Sequence, residues 1–306
     1  MLFDKKYIGV DIGGSSIKLG LFNIEGLLLA ATTQPTPQPP MPGAVTIAIC
    51  EAIEFLDPTN QAEFVGISVP GPIDSFGRIA RISINLPGWI DVPLADWLEP
   101  RLKRKVILGN DGNCALIGEA WQGAAVGYQD VILLTLGTGV GGGVMIGGQI
   151  FTGRNGAASE PGLISIDLNG FECNSGNSGS LEQFGSLKGL KRLSDCEPIE
   201  LNYRASIGRV DAIKVWEKYG QQLGVGISSL IYLFTPQLVV LGGGLSSSAS
   251  YFLPSIRKEV NRRVQNVSRE GLLIRAASLG NGAGRLGAAK LAIKCLTNNL
   301  IDAYEA

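Results

Sequence analysis

Residues 7–22 read YIGVDIGGSSIKLGLF, and this stretch decides the fold. The apolar segment 7–11 predicts a buried strand, the glycines and serines at 13–16 predict a turn, and 17–22 predicts a returning strand. A third apolar segment at 27–32 follows a second turn. The chain is therefore expected to begin as a β-meander.

The same design recurs at residues 131–146, which read VILLTLGTGVGGGVMI. Here 131–136 predicts a strand, the glycine-rich 137–143 predicts a turn, and 144–146 predicts a second strand. Two copies of one strand–turn–strand unit in a single chain indicate an internal duplication of whole domains.

Outside these hairpins, predicted strands alternate with predicted helices, which is typical of α/β proteins. Apolar residues recur at helical spacing in some segments and form short uninterrupted runs in others. The predicted helices span 44–56, 94–103, 113–122, 210–222, 223–233 and 284–296, and the further strands span 64–69, 106–108, 237–241 and 272–277.

The composition is that of a folded protein with room for two domains of ordinary size. The chain has 306 residues, of which 45% are hydrophobic and 17% are charged. With 26 Lys and Arg against 27 Asp and Glu, the net charge is −1. A nucleic-acid-binding surface needs clustered positive charge, so we expect no nucleic-acid partner.

The sequence contains no histidine, and this excludes several classes of enzyme. Neither a Ser-His-Asp nor a Cys-His nucleophile system can be built from this chain. A metal site with His ligands is excluded for the same reason. General base work must fall to Asp, Glu, Lys, Tyr or Cys.

The five cysteines are scattered, odd in number and without a CxxC pair, which predicts free thiols in a reducing compartment. The first six residues carry Asp4, Lys5 and Lys6 and no apolar segment, so no signal peptide is expected. The uncharged run 131–153 is interrupted by glycines, which favours buried strands over a membrane helix. Together these features predict a cytoplasmic protein without a membrane partner.

Three glycine-rich turns are candidate ligand loops. Asp11 and the turn at 13–16 could hold Mg²⁺-bound water or phosphate, or Asp11 could simply open a hairpin turn. The 137–143 loop leads into a strand and lacks Gly-Lys-Ser/Thr, so it is neither a dinucleotide fingerprint nor a Walker A loop. A phosphate-binding hairpin or a glycine-rich barrel corner fits it. The turn at 242–244 follows a buried strand and could hold adenine or ribose.

The segment Asn110-Asp111-Gly112-Asn113 lies between a predicted strand and a predicted helix. At a helix N-terminus, Asp111 is either a plain N-cap or a general base. A helix N-terminus stabilises a carboxylate, so we expect Asp111 to be ionised at neutral pH and able to accept the proton of a substrate hydroxyl.

Taken in order along the chain, these motifs resemble the ROK family of sugar kinases, regulators and related open reading frames, within the actin-like ATPase superfamily. The resemblance covers nearly the whole chain and includes both hairpins and the third glycine turn. Its further motifs are 64–74 (FVGISVPGPID), 85–89 (NLPGW), 109–113 (GNDGN), 160–162 (EPG) and 282–289 (GAGRLGAA).

The resemblance implies an α/β fold of two actin-like (ribonuclease H-like) ATPase domains, with the active site in the cleft between them. The small domain would span 1–121 and the large domain 122–284. The last helix, at about 285–306, could pack back onto the small domain. A homodimer is the usual form in the family.

For members with these motifs, the resemblance implies phosphorylation of a hexose by MgATP, most often of glucose at its 6-hydroxyl. Asp111 would be the general base, and Asp11 would organise Mg²⁺ through water. The implied sugar contacts are Asn85, Asn110, Asp111, Glu160 and Glu182. The implied nucleotide contacts are Asp11, Gly13, Gly14, Ser15, Ser16, Gly137, Thr138, Gly139, Gly141, Gly242, Gly243 and Gly244.

The chain departs from the family at a zinc cluster. Many members read EPGH and then CxCGxxGC, and they bind zinc with that His and three Cys. Here Leu163 stands at the His position and 173–180 read CNSGNSGS, so Cys173 alone survives among the ligands. Structural zinc needs four ligands, and we expect none. Either the sugar specificity differs, or hydrogen bonds from Asn174, Ser175, Asn177 and Ser178 hold the loop instead.

Other functions stay open on the sequence. One is a non-catalytic sugar-binding regulator, although family repressors carry an N-terminal DNA-binding module and the first strand here begins by Tyr7. Another is a kinase that uses a different hexose, an N-acetylhexosamine or a polyphosphate donor. A polyphosphate track needs positive charge. The dense basic cluster Arg257, Lys258, Arg262 and Arg263 is more simply a solvated helix face.

Overall fold

The structure, a computed structural model, describes residues 5–83 and 86–305, with side chains up to residue 295. The contacts within it divide the chain into two compact units, each with one five-stranded sheet. Unit 1 comprises Met1–Gly123, Thr152–Ala158 and Asn281–Ala306, and unit 2 comprises Ala124–Phe151 and Ser159–Gly280.

Strands of both units are short and rich in apolar residues. A small two-stranded sheet, β5 with β6, accompanies the two large ones. In chain order the strands of the described ranges are β1 (Lys6–Ile12), β2 (Ser16–Asn23), β3 (Leu28–Pro35), β4 (Ala62–Val69), β5 (Ala80–Ile82), β6 (Ile90–Val92), β7 (Lys105–Asn110), β8 (Val131–Leu136), β9 (Val140–Ile146), β10 (Gln149–Ile150), β11 (Leu238–Gly242) and β12 (Leu273–Ala276).

Helices alternate with these strands in both units. No helix within the described ranges is both long enough and apolar enough to span a bilayer. The helices are α1 (Pro42–Leu56), α2 (Leu94–Leu102), α3 (Asp111–Gln122), α4 (Leu181–Gly185), α5 (Leu187–Lys191), α6 (Pro198–Ser206), α7 (Val210–Phe234), α8 (Ala249–Arg263) and α9 (Ala283–Glu305).

The sheet of unit 1 has the strand order β3-β2-β1-β4-β7. Strand β1 pairs antiparallel with β2 and parallel with β4, and β4 pairs parallel with β7. Ile8, Val10 and Ile67 are fully buried, as expected for strands covered on both faces. The carboxyl ends of the parallel strands meet at one edge of the sheet, and this edge carries Asp11 and Asn110.

The sheet of unit 2 repeats this arrangement in the order β10-β9-β8-β11-β12. Strand β8 pairs antiparallel with β9 and parallel with β11, and β11 pairs parallel with β12. The strand pairing of unit 1 is thus reproduced. The predicted repetition of the hairpin is confirmed, and so is the α/β class.

The glycine turn of the second hairpin is shorter than predicted. Strand β9 begins at Val140, and Gly141 and Gly142 pair with Thr135 and Leu134 of β8. A Cβ at Gly142 would lie 2.2 Å from the carbonyl oxygen of Leu133. Close approach of two strands, and not a turn, therefore requires glycine at this position.

One continuous helix, α7, covers the region predicted as two helices at 210–222 and 223–233. The helix continues through its glycines. Two of these glycines allow α8 to approach closely. A Cβ at Gly220 would lie 2.4 Å from the carbonyl oxygen of Phe252, and one at Gly224 would lie 2.6 Å from Cβ of Glu259. The prediction of two separate helices is wrong, because tertiary packing against α8 supports one continuous helix.

Helix α9 lies against β1 and β4 with its backbone close to theirs. Glycine in both strands makes this approach possible. A Cβ at Gly9 would lie 1.8 Å from the carbonyl oxygen of Arg285, and one at Gly66 would lie 1.8 Å from that of Ala288. The first turn of α9 is thereby held beside the end of β1.

We expect Gly66→Ala to lower the free energy of unfolding by about 1–3 kcal/mol, because the added methyl group must displace α9 or β4. Gly43→Ala is the matched control, since a Cβ at this position in α1 would meet no atom within 4 Å. Alanine at a helical glycine stabilises by about 0.5–1 kcal/mol. Urea unfolding of both variants measures the difference, and equal stabilities would contradict the close contact.

Candidate active site

Asp111 stands where β7 passes into α3. Asn110 is the N-cap of this helix, because its Oδ1 accepts a hydrogen bond from the N–H of Asn113 at 3.0 Å. Its Nδ2 donates to the carbonyl oxygen of Gly71 and to Oδ1 of Asp111, both at 3.1 Å. Asn110 therefore caps α3 and orients Asp111. Asp111 is the first residue of the helix, which removes the interpretation of a plain N-cap.

The carboxylate of Asp111 can be reached by a ligand and is closely surrounded by protein. The residue is exposed, yet the surrounding protein displaces water, and this desolvation raises the pKa of Asp111 to about 6. Hydrogen bonds from Gly112 N–H, at 2.9 Å, and Asn110 lower the pKa, and the charge of Asp11 raises it. The expected net stabilisation by the helix terminus is wrong in direction, because desolvation outweighs it. Asp111 is still mainly ionised at neutral pH.

Asp11 is the penultimate residue of β1 and is held by Ser68 of the parallel strand β4. The two residues are paired in register, and Ser68 Oγ donates to Asp11 Oδ1 at 2.8 Å. Burial raises the pKa of Asp11, while this hydrogen bond and the positive charges of Lys18 and Arg285 lower it. The net pKa of Asp11 lies above its ordinary value.

These surroundings fit a divalent cation bound to Asp11 through water. Carboxylate oxygens are the protein ligands that Mg²⁺ prefers. Glycine at 284 leaves the Asp11 carboxylate uncovered, since a Cβ there would lie 2.8 Å from it. A cation near Asp11 would also offset the desolvation of this carboxylate and its repulsion of Asp111.

The turn after β1 presents its backbone to solvent. Gly13 N–H donates to the carbonyl oxygen of Ser16 at 2.9 Å, and Thr36 Oγ1 donates to the carbonyl oxygen of Gly13 at 2.6 Å. Gly14 and Ser15 are exposed, and a Cβ at Gly14 would meet no atom within 4 Å. The turn is therefore fixed in shape and open to an anion.

The turn of the second hairpin is held by Glu182 of α4. Val140 N–H donates to Glu182 Oε2 at 3.1 Å, and Gly137 N–H donates to the carbonyl oxygen of Gly139 at 3.0 Å. Thr138 is exposed, and a Cβ at Gly137 would meet no atom within 4 Å. The open backbone at this turn suits a phosphate group. Of the predicted phosphate contacts in this loop, Gly141 alone lies within β9.

Glu160 and Glu182 both lie beside this hairpin. Glu160 precedes the short 3-10 helix Pro161–Leu163, which is closed by a 3.1 Å hydrogen bond to the Glu160 carbonyl oxygen. Within it, Gly162 packs on Val140, since a Cβ there would lie 1.7 Å from the Val140 carbonyl oxygen. The structure therefore brings two predicted sugar contacts and the glycine turn together around Val140.

The third glycine turn follows β11, as predicted. Gly243 has a φ of 80°, and a Cβ there would lie 2.4 Å from the carbonyl oxygen of Leu136. Gly244 is exposed, with no atom within 4 Å of a Cβ, and it begins the 3-10 segment Gly244–Ser248 that leads into α8. Its backbone can be reached by a flat ring or a ribose. Gly242 is the last residue of β11.

The residues at the family's zinc positions do not fit zinc. Cys173 is buried, and Ser175 and Ser180 adjoin its thiol. Burial raises the pKa of Cys173, but polar interaction with Ser175 outweighs burial, and the net pKa of Cys173 is lowered. One sulfur ligand with two hydroxyls and Leu163 is not a zinc donor set. In the part of the chain that the structure describes, no three His, Cys, Asp or Glu side chains form a metal-binding group.

Ser68 is the site residue that sequence reasoning missed. The sequence contains a signal for Ser68, because it is the one hydroxyl residue in the otherwise apolar or glycine run 64–69. In the structure this residue is fully buried. A lone hydroxyl beside an acidic strand end in the neighbouring parallel strand indicates a hydrogen bond. The predicted sugar contact Asn85 lies outside the described residues.

Comparisons with known proteins identify the family of the chain. The family model described as the ROK family matches residues 7–295. The chain belongs to the ROK family. A glucokinase of Thermotoga maritima is 32% identical to it in an alignment that covers 94% of this chain and 96% of that protein.

Two solved structures from the family confirm the actin-like ATPase fold. A ROK family glucokinase from Streptomyces griseus in complex with glucose and AMPPNP matches with a TM-score of 0.83 at 32% identity, covering 94% of this chain and 99% of that chain. A ROK hexokinase from Thermus thermophilus matches with a TM-score of 0.83 at 32% identity, covering 96% and 99%.

We expect Asp111→Asn to stabilise the protein at neutral pH. Because folding raises the pKa of Asp111 from 3.8 to about 6, the ionised carboxylate disfavours the folded state above pH 6. The gain in Tm should shrink as the pH falls from 6 towards 4, where the wild-type carboxyl is protonated in the folded state. Thermal unfolding at pH 7.5 and pH 4.5 measures this. A Tm below that of the wild type at pH 7.5 would contradict it.

Proposed function

We propose that this protein is an ATP-dependent hexose kinase that converts glucose to glucose 6-phosphate. The observation that carries the proposal is the Asp111 carboxylate, which a substrate can reach and whose pKa is about 6. A general base works best with a pKa near the operating pH. Membership of the ROK family, and the likeness to glucokinases over almost the whole chain, support the sugar and the donor.

In the proposed reaction, Asp111 accepts the proton of the sugar 6-hydroxyl. The sugar oxygen forms a bond to the γ-phosphorus of ATP, the bond from that phosphorus to the bridging oxygen breaks, and ADP leaves. Asn110 keeps the base aimed by its 3.1 Å hydrogen bond. Positioning of the reactants supplies most of the acceleration in phosphoryl transfer.

The phosphates of the donor would contact the backbone at Gly13–Ser16 and at 137–139, and the adenosine would contact Gly242–Gly244. Mg²⁺, when bound, supplies positive charge to the phosphoryl group in transfer. Asp11 would hold the water shell of this ion. The 2.8 Å hydrogen bond from Ser68 fixes the orientation of the Asp11 carboxylate for that task.

The sugar hydroxyls would contact Asn85, Glu160 and Glu182. Glu182 accepts from the N–H of Val140 with Oε2 and, at 3.9 Å, from the Cys173 thiol with Oε1. We assign Oε1 to the sugar, because a thiol is a weak donor that a sugar hydroxyl can replace. Asn110 acts through Asp111, because both protons of its amide are donated within the protein. The side chain of Leu163 offers no hydrogen bond, so the choice among hexoses depends on the other residues.

Coupled ADP release tests the proposal, with MgATP and glucose, mannose, fructose, N-acetylglucosamine or N-acetylmannosamine. Glucose should give the highest kcat/KM. Asp111→Asn should lower kcat about 10²–10⁴-fold, the contribution of a general base, while remaining folded. If no sugar is phosphorylated by ATP or by polyphosphate, the protein is not a kinase, and calorimetry with the same sugars then tests a sugar-binding regulator.

Activity should also fall at acid pH, because a protonated Asp111 cannot accept the hydroxyl proton. With a pKa of about 6, kcat/KM should be constant above pH 7 and drop about tenfold for each pH unit well below 6. The rate is measured from pH 4.5 to 8 at saturating ATP. A profile that stays flat down to pH 5 would assign the base to another residue.

A further inference from the structure

The segment 163–180 is closed on itself by the side chain of Asn177. Its Nδ2 donates to the carbonyl oxygen of Leu163 at 2.8 Å. Its Oδ1 accepts from the N–H of Ser178 at 2.8 Å and lies 3.1 Å from the hydroxyl of Ser165. A carbonyl can only accept and an N–H can only donate, so these partners fix which way the amide points.

Backbone hydrogen bonds hold the base of the same segment. Ile166 N–H donates to the carbonyl oxygen of Gly179, and Leu181 N–H donates to that of Ile164, both at 2.8 Å. At the tip, Cys173 N–H donates to the carbonyl oxygen of Asn177 at 2.8 Å. The amide of Asn177 connects this tip to the base at Leu163.

Both ends of the segment lead to acidic residues of the site. Leu163 ends the 3-10 helix that is closed on the carbonyl oxygen of Glu160. At the other end, α4 begins at Leu181 and carries Glu182, whose Oε2 binds the hairpin. The hydrogen bond from Leu181 N–H to the Ile164 carbonyl oxygen joins the two ends, and the contact of Asn177 with Leu163 adds to it in limiting how far the backbones at Glu160 and Glu182 can move apart.

We propose that Asn177 is a positioning residue for sugar binding. The hydrogen bonds of its amide, here called the clasp, hold segment 163–180 closed. A metal ion cannot do so, because one thiol and two hydroxyls do not bind it. The proposal rests on the proposed function, because it assigns Glu160 and Glu182 to the sugar. Loss of the clasp lets these carboxylates spread. The loss affects the ground state and the transition state alike, which raises KM and leaves kcat nearly unchanged.

The chain offers matched variants for a test. Asn177→Ala removes the whole clasp. Asn177→Asp keeps the acceptor for Ser178 and replaces the donor to Leu163 by a carboxylate oxygen. Asn174→Ala is the control, because Asn174 is exposed on the same loop and its side chain forms no hydrogen bond among the described residues.

Three measurements separate positioning from a purely structural role. Calorimetry with glucose gives the sugar affinity, steady-state kinetics give kcat and the KM values of glucose and ATP, and amide hydrogen exchange at Ile166 and Leu181 reports the closure of the loop. We expect Asn177→Ala and Asn177→Asp to weaken glucose binding about three- to tenfold, the range of one hydrogen bond. The KM of ATP should change less than twofold, and exchange at both amides should accelerate.

The results decide between the interpretations. Faster exchange with unchanged glucose affinity would make Asn177 structural only and overturn the proposal, as would an Asn177→Asp variant that behaves like the wild type. Zinc found in the purified wild-type protein by mass spectrometry, with loop exchange accelerated by EDTA, would overturn the metal-free clasp. If the wild type binds no glucose, the proposed function and the positioning role both fail, while the exchange data still report whether Asn177 closes the loop.

Discussion

The candidate site depends on one constraint, which is to keep a carboxylate ionised although protein surrounds it closely. Asp111 must keep its charge to serve as a base, yet desolvation and the neighbouring charge of Asp11 both favour the protonated form. Hydrogen bonds from the Gly112 N–H and the Asn110 amide stabilise the ionised form and lower the pKa of Asp111. The result is a pKa close to neutrality, at the expense of some folding free energy.

The two copies of the hairpin differ at the fifth residue, which carries a carboxylate in the first copy only. Asp11 is the fifth residue of the first copy and Thr135 the fifth of the second. Unit 1 can therefore attract a cation at its hairpin, whereas unit 2 keeps the end of β8 uncharged. In unit 2 a carboxylate arrives from elsewhere in the chain, since Glu182 of α4 binds the N–H of Val140. One scaffold thus carries two electrostatic environments.

Local patterns predicted most of the fold, because the hairpins, the strand ends and the glycine turns are each encoded within a few residues. Errors arose where distant packing decides the outcome. Residues 210–233 are predicted as two helices but form the single helix α7, whose Gly220 and Gly224 lie against α8. The segment Gly141–Gly143 is predicted as a turn but pairs with β8. In the same way, the charge state of Asp111 depends on protein brought near it by folding, which a helix-terminus argument does not include. The partners of Ser68 and Asn177 are likewise fixed by folding.

The place of α9 has a consequence for the order in which the protein takes shape during synthesis. Strands β1 and β4 leave the ribosome before the strands of unit 2, but the helix that packs on their glycines follows unit 2 in the chain. Unit 2, which ends at Gly280, is complete before α9 has been made. Unit 1 cannot complete its packing until α9 has been made, and until then α9 does not cover strands β1 and β4. The first unit to be translated is thus the second to be finished, against the usual N-terminal-first order of domain folding.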